Sequence, residues 1–236
     1  MQVLVKSTFS LLSAAALMFS SLTMAAELGP WEQKAEDEDK NIQVFTRTVG
    51  DSPLREFKGV TQIKASVNDL VALLKDVDAA TSWMHDVADF KAIEKISDTK
   101  NIYYMVNSTP WPVTDRDIYI NSEMTADANG VVTSNVTANS EYEASEDFVR
   151  MPALKGSWKF TPKADGMVDV VYQVHANPGG SLPGWLVNAI VVDTPLNTLS
   201  NMHDIMQGEK YQGQTFAFIE EASAAQTETQ QAAITE

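Results

Sequence analysis

Most of this chain is written in a period of two. Apolar and polar residues alternate over 41–49, 54–63, 89–96, 102–107, 115–125, 131–142, 148–161 and 167–176, the pattern of strands with one buried face. Two of these stretches are especially regular. Leu154, Gly156, Trp158 and Phe160 oppose Lys155, Ser157 and Lys159, and Val168, Val170, Tyr172 and Val174 oppose Asp169 and Gln173. Asp51-Ser52-Pro53, Asn129-Gly130 and Asp165-Gly166 stand where hairpin turns are needed.

The period changes to that of a helix twice. After Ser66, residues Leu70, Val71, Leu73, Leu74 and Val77 recur at helical spacing, and Ser66 with Asp69 forms a variant capping box. The second helix spans 183–207. Its apolar stripe is Val191, Pro195, Leu199, Met202 and Met206, with Asn197, Asn201 and Asp204 opposite. Pro195 is expected to kink it, because proline lacks the amide donor. Residues 27–40 are polar and acidic around one anchor, Trp31, and their 36–40 run, Glu-Asp-Glu-Asp-Lys, reads as a solvated face or a short helix.

This order predicts an α+β fold. An antiparallel sheet with one polar face must bury the other, and 183–207 is the only large amphipathic element left to cover it.

Both ends read differently from the middle. Residues 1–26 combine Lys6, an apolar run and small residues at Ala25 and Ala26, the pattern of a secretory leader. Export to the periplasm or medium, with cleavage near Ala25 or Ala26, is the expectation. The folded domain is then 27–213, and 214–236, rich in Ala, Thr, Gln and Glu, is expected to be disordered.

Composition removes several function classes. There is no cysteine, so stability must come from a full apolar core, and 44% hydrophobic content can supply it. Net charge is −15, and loss of Lys6 with the leader takes it to −16. That argues against a nucleic-acid partner, whose phosphates want lysine and arginine, and leaves room only for transient membrane contact. A monomer is expected. The three histidines lack metal-ligand spacing, and Gly179-Gly180-Ser181-Leu182-Pro183 misses the serine-hydrolase elbow. Neither a metal nor a cofactor is expected, nor is a catalytic constellation.

One position is odd. Strand parity puts Arg116 on the same face as Ile118 and Ile120, just after the Pro110-Trp111-Pro112 loop. A buried arginine needs an acceptor. Glu94, on the face of Phe90 and Ala92, is the candidate partner. Asp117 points the other way and is a candidate for tying down a loop. Arg116 is expected either to hold the loop through carbonyl groups or to meet the polar head or carboxylate of a ligand.

Three stretches resemble the START family, the steroidogenic-acute-regulatory-related lipid-transfer domains. They are Trp83 with 90–96, the 112–117 stretch Pro-Val-Thr-Asp-Arg-Asp, and the 156–162 stretch Gly-Ser-Trp-Lys-Phe-Thr-Pro. The resemblance implies a helix-grip fold, a curved antiparallel sheet wrapped around the C-terminal helix, with an internal hydrophobic tunnel for one lipid. It also implies a gate, here the loop around Trp111 together with the last helix. Sterol-carrying members bury a Glu–Arg pair where this chain has Tyr104 or Met105 and Ser122, so sterol specificity is not implied. The expected ligand-binding residues are Trp111, Arg116, Glu94, Ile118, Trp158, Tyr172, Val191, Leu199, Met202 and Met206. The expected function is carriage of a lipid or other hydrophobic molecule across the periplasm. The alternatives are a cyclase- or hydratase-like enzyme using Tyr104, Tyr119, Tyr172, His175 and Glu94, or a lipid-sensing assembly factor.

Overall fold

The computed structural model describes residues 27–224. The expected leader and the last twelve residues of the expected tail lie outside the described residues. Among the described residues ten strands, β1 (Glu32–Asp37), β2 (Ile42–Arg47), β3 (Glu56–Lys64), β4 (Val87–Lys95), β5 (Lys100–Asn107), β6 (Arg116–Ala126), β7 (Val132–Ala138), β8 (Val149–Arg150), β9 (Ala153–Pro162) and β10 (Met167–Asn177), form one sheet. Its order is β1-β2-β3-β10-β9-β7-β6-β5-β4, antiparallel throughout except for β8, which pairs parallel with the start of β6. Helix α1 (Val67–Lys75), the short α2 (Ala80–Trp83) and the long α3 (Gly184–Met206) complete the α+β helix-grip architecture.

Local chemistry explains the helices. The Ser66 hydroxyl accepts from the Asp69 amide at 3.1 Å while the Asp69 carboxylate accepts from the Ser66 amide at 3.0 Å, so two otherwise orphaned donors are satisfied at the start of α1. Helix α3 runs unbroken through Pro195 and contacts β1, β2 and β3. Gly59 on β3 allows the approach: a Cβ there would come within 2.7 Å of Leu199 and 3.1 Å of Pro195.

Polar contacts fasten the outer side of α3. Lys40 donates to the Ser200 hydroxyl at 2.8 Å and to Asp204 at 2.7 Å. Asn201 donates to the Trp83 carbonyl at 3.1 Å, and Thr61 bonds His203 at 2.8 Å. The face opposite the apolar stripe is therefore stitched to the turn before β2 and to α2.

His203 carries a pH consequence. Burial, then the neighbouring Lys40 charge, holds its pKa below the usual 6.5. The fold favours neutral imidazole, so its contribution to stability is complete above pH 6.5 and is lost as pH falls through the depressed value. The melting temperature should decline on acidification below about 6.5, and His203→Gln should flatten that limb in a thermal titration. An unchanged profile in the variant would remove His203 from the account.

The sequence reading needs correction at three places. The 36–40 run is no helix: it ends a strand, 32–37, and turns, because β2 offers a partner edge, while its side chains stay largely solvated. The expected strand over 148–161 is two, β8 and β9, parted at Met151 and Pro152. The expected disorder does not begin at 214. Residues 217–224 are helical, Ile219 is buried in the main core, and the Phe216 amide donates to Asn68 at 3.1 Å.

Candidate functional site

The buried apolar residues fall into two clusters. The larger joins α1, α3 and β2, β9 and β10, with Trp83 edge-on to Trp158 at 5.8 Å. The smaller is Ile118, Ile120 and Met151, with Met105, Val136 and Leu154 against it. Between them the sheet and α3 leave open space. A hollow of about 80 Å³ is lined by Leu74, Trp158 and Met124 from one cluster and by Ile120, Val136 and Leu154 from the other. A second, of about 110 Å³, reaches Arg116, the 107–109 stretch and Ile190 and Thr194 of α3. It shares Met105, Leu154, Tyr172 and Val174 with the first. A third, of about 70 Å³, lies under Val187 and Val191 and shares Phe57, Met151 and Ile190 with the second. The three adjoin through these shared wall residues, and the walls are mainly apolar.

Antiparallel pairing builds the wall. Met105 is opposite Ile118, and Tyr103 opposite Ile120, so β5 and β6 present both pairs to one face. Ser122 of β6 faces Ser134 of β7 diagonally, their hydroxyls 3.4 Å apart at the inner end of the first hollow. Tyr172 stacks on Trp158 with ring centres 3.9 Å apart, and burial alone pushes its phenol pKa upward.

Arg116 sits at the other end. It is 4% exposed, as its parity with Ile118 requires. One guanidinium nitrogen, Nη1, donates to the Thr114 carbonyl. Nε is buried without an acceptor. Burial lowers its pKa, partly countered by Asp115. The expected partner Glu94 does not reach it. Glu94 is exposed on the edge strand β4, and a bulge between Ala92 and Glu94 pairs it with Ile102. The extra residue reverses its parity relative to Phe90, which does line the first hollow.

Asp117 faces the other way, as parity demands, and is wholly buried. Arg150 grips it with two bonds of 2.9 and 2.8 Å and also donates to the carbonyls of Tyr142 and Glu143 at 3.0 and 2.8 Å. Tyr119 stacks on Tyr142 at 4.2 Å beneath the Arg150 guanidinium. Burial and the Asp117 charge push the Tyr104 phenol up to about 12. This group ties the 139–150 connection to β6, the loop-holding role expected for Asp117. Asp115 does likewise for the preceding loop, accepting from the Thr109 amide at 2.7 Å.

Of the ten expected ligand-binding residues, Arg116, Trp158, Tyr172 and Val191 line the hollows. Ile118, Leu199, Met202 and Met206 are buried in the two clusters and line none of them. They pack the fold around the space. Trp111 does not line it either: the turn closed by the Val113 amide on the Pro110 carbonyl leaves its side chain 92% exposed. The wall residues missed include Met105, Ser122, Leu154, Val174 and Ile190. Val174 and Leu154 share strand faces with Tyr172 and Trp158, so the alternation carried their signal.

The comparisons with known proteins agree with this geometry. The START domain family matches residues 11–210. The chain belongs to the START family. A STAR-related lipid transfer protein from Xanthomonas axonopodis, solved as a crystal structure, is 39% identical over 75% of this chain and 99% of its own, with a TM-score of 0.69. An uncharacterized Pseudomonas aeruginosa protein is 39% identical over 71% of this chain and 83% of its own. Human StAR-related lipid transfer protein 5 shares the fold at 17% identity and a TM-score of 0.67, over 75% of this chain and 86% of its own. START membership makes this a protein that binds lipid or another hydrophobic ligand.

Proposed function

We infer that this START protein is an exported carrier: it takes a lipid or other hydrophobic molecule from one membrane, shields it between the sheet and α3, and releases it unchanged across the periplasm. The observation that carries this reading is the set of adjoining, mainly apolar hollows between the two core clusters. The driving force is burial of apolar surface, about 25 cal/mol per Å², which needs no nucleotide. The similar Xanthomonas protein bears the name of a lipid transfer protein.

The acid–base candidates do not gather as a catalyst would need. Only Tyr172 reaches the hollow; Tyr104 and Tyr119 belong to the Asp117 group outside it, Glu94 is exposed, and His175 contacts Ser52 and the Leu54 carbonyl.

Delivery requires touching a membrane and opening. The loop bearing Trp111 and the first turn of α3 bearing Trp185 both lead into walls of the second hollow, and both indoles are exposed, at 92% and 63%. Indoles suit the interface between water and acyl chains. Gly179 and Gly180, at φ of 69° and 58°, provide the turn from which α3 can swing. The acidic surface favours brief contact over lasting adhesion.

The test is native mass spectrometry of protein purified from its host, followed by transfer of the recovered molecule between vesicles. A bound lipid that moves unchanged supports carriage; a chemically altered product overturns it. The double variant Trp111→Ala/Trp185→Ala should slow vesicle-to-vesicle transfer by about tenfold while leaving occupancy in solution unchanged.

A further inference from the structure

We propose that the guest is a single-chain carboxylic acid, its carboxylate on the Nε edge of Arg116 and its hydrocarbon tail running past Met105, Leu154 and Val174 toward Trp158 and the Ser122–Ser134 pair. The proposal deepens the carrier reading and rests on it.

The head is set by charge accounting. Arg116 is always cationic, nearly fully buried, and among the described residues bonded only to a backbone carbonyl, with Nε lacking an acceptor. A buried guanidinium with no carboxylate bonded to it is costly; Asp115 offsets that cost only in part, and the neighbouring carboxylates make their bonds elsewhere. Asp117 is gripped by Arg150, and Asp115 accepts from the loop at Thr109. Asp86 borders the same hollow but is half-exposed, turned to His85 at 3.3 Å and without a bond to Arg116, and Glu94 is exposed on the edge strand. The missing anion is therefore one the guest brings. A guanidinium edge fits the planar two-oxygen geometry of a carboxylate.

The tail is set by shape. A dry cavity of roughly 150 Å³ takes a benzene-sized guest. The two adjoining hollows measure about 110 and 80 Å³. On that scale they admit about the first eight heavy atoms of one slim chain, and a longer chain must extend toward the third hollow under Val191 or part the walls between them; a fused-ring sterol or a pair of acyl chains would have to rebuild the walls. At the inner end the two serine hydroxyls can bond each other, so a methyl terminus leaves neither stranded.

The experiment is isothermal titration of the full chain with dodecanoate, dodecanol, dodecanoyl lysophosphatidylglycerol and didodecanoyl phosphatidylglycerol, each below its aggregation threshold. Dodecanoate should bind at least about tenfold more tightly than dodecanol, and more tightly than either phospholipid. Arg116→Gln should reduce dodecanoate to the affinity of dodecanol and leave dodecanol unchanged. Ser134→Leu should shift the preferred acid to a shorter chain. Equal binding of acid and alcohol by the native protein overturns the proposal even if Arg116→Gln fails to fold. So does preference for a phospholipid, or a chain-length optimum that Ser134→Leu leaves in place. Those results would leave carriage standing with a different cargo. Failure of all four probes to bind would overturn the carrier reading as well.

Discussion

Replacing Asp117 with alanine should cost this protein more stability than almost any other single polar change. Asp117 is fully buried and is held by Arg150 through two bonds, while Arg150 keeps 18% side-chain exposure. Removing one member of such a pair leaves the other as an uncompensated charge, a loss of about 3–5 kcal/mol. At roughly 2–4 °C per kcal/mol for a domain of this size, the melting temperature should fall by about 10 °C. The double change Asp117→Ala/Arg150→Met should recover part of the loss, because apolar replacement of a whole buried pair is often neutral. Denaturant titrations of the two single variants and the double variant measure the coupling. A loss below about 1 kcal/mol would class the pair with ordinary surface ion pairs. The consequence reaches the site. The pair clamps Arg150 of β8 against Asp117 of β6, and the same two-residue ladder sets Val149 beside Arg116. Slackening it should weaken ligand uptake together with stability.

The pair also shows what strand parity can and cannot read. With Arg116 and Ile118 on one face, Asp117 had to take the other, and the buried arginine and the outward aspartate both follow from a period of two. Ser66 and Asp69 announced α1 because a capping box is local chemistry. Glu94 failed for the opposite reason. Its alternation from Phe90 is regular along the sequence, but β4 bulges between Ala92 and Glu94, and only the pairing with β5 determines that. Strand β1 failed similarly: its polar residues carry no alternation, and the free edge of β2 makes them a strand. Leu199, Met202 and Met206 show a third limit. Their stripe marked the buried side of α3, but whether a buried residue meets a neighbour or a void depends on distances between elements. Gly59 brings α3 close at Leu199, whereas one to three turns earlier Ile190 and Thr194 border open space. Sequence periodicity fixes direction, and the cavity is a matter of separation.

That separation can be tested at one residue. Val174 on β10 borders all three hollows and is itself only 5% exposed. It pairs with Gly156 on one side and Phe57 on the other, and a Cβ at Gly156 would come within 2.7 Å of its methyl group. Backbone neighbours are therefore tight, and the side chain has room only toward the cavity. In a filled core, enlarging valine to phenylalanine would force strain of about 1–3 kcal/mol. Here the ring has a hollow of about 110 Å³ to enter, where it gains dispersion contacts that the lining now lacks. Val174→Phe should therefore keep stability within about 1 kcal/mol of the native protein, while ligand affinity falls by about a hundredfold or more, since the ring stands where the three hollows meet. Thermal melting and native mass spectrometry of the same preparation read both quantities. Lost stability with retained ligand would mean that the space is closed in solution and the guest binds elsewhere. Retained stability with lost ligand would place the guest in this hollow.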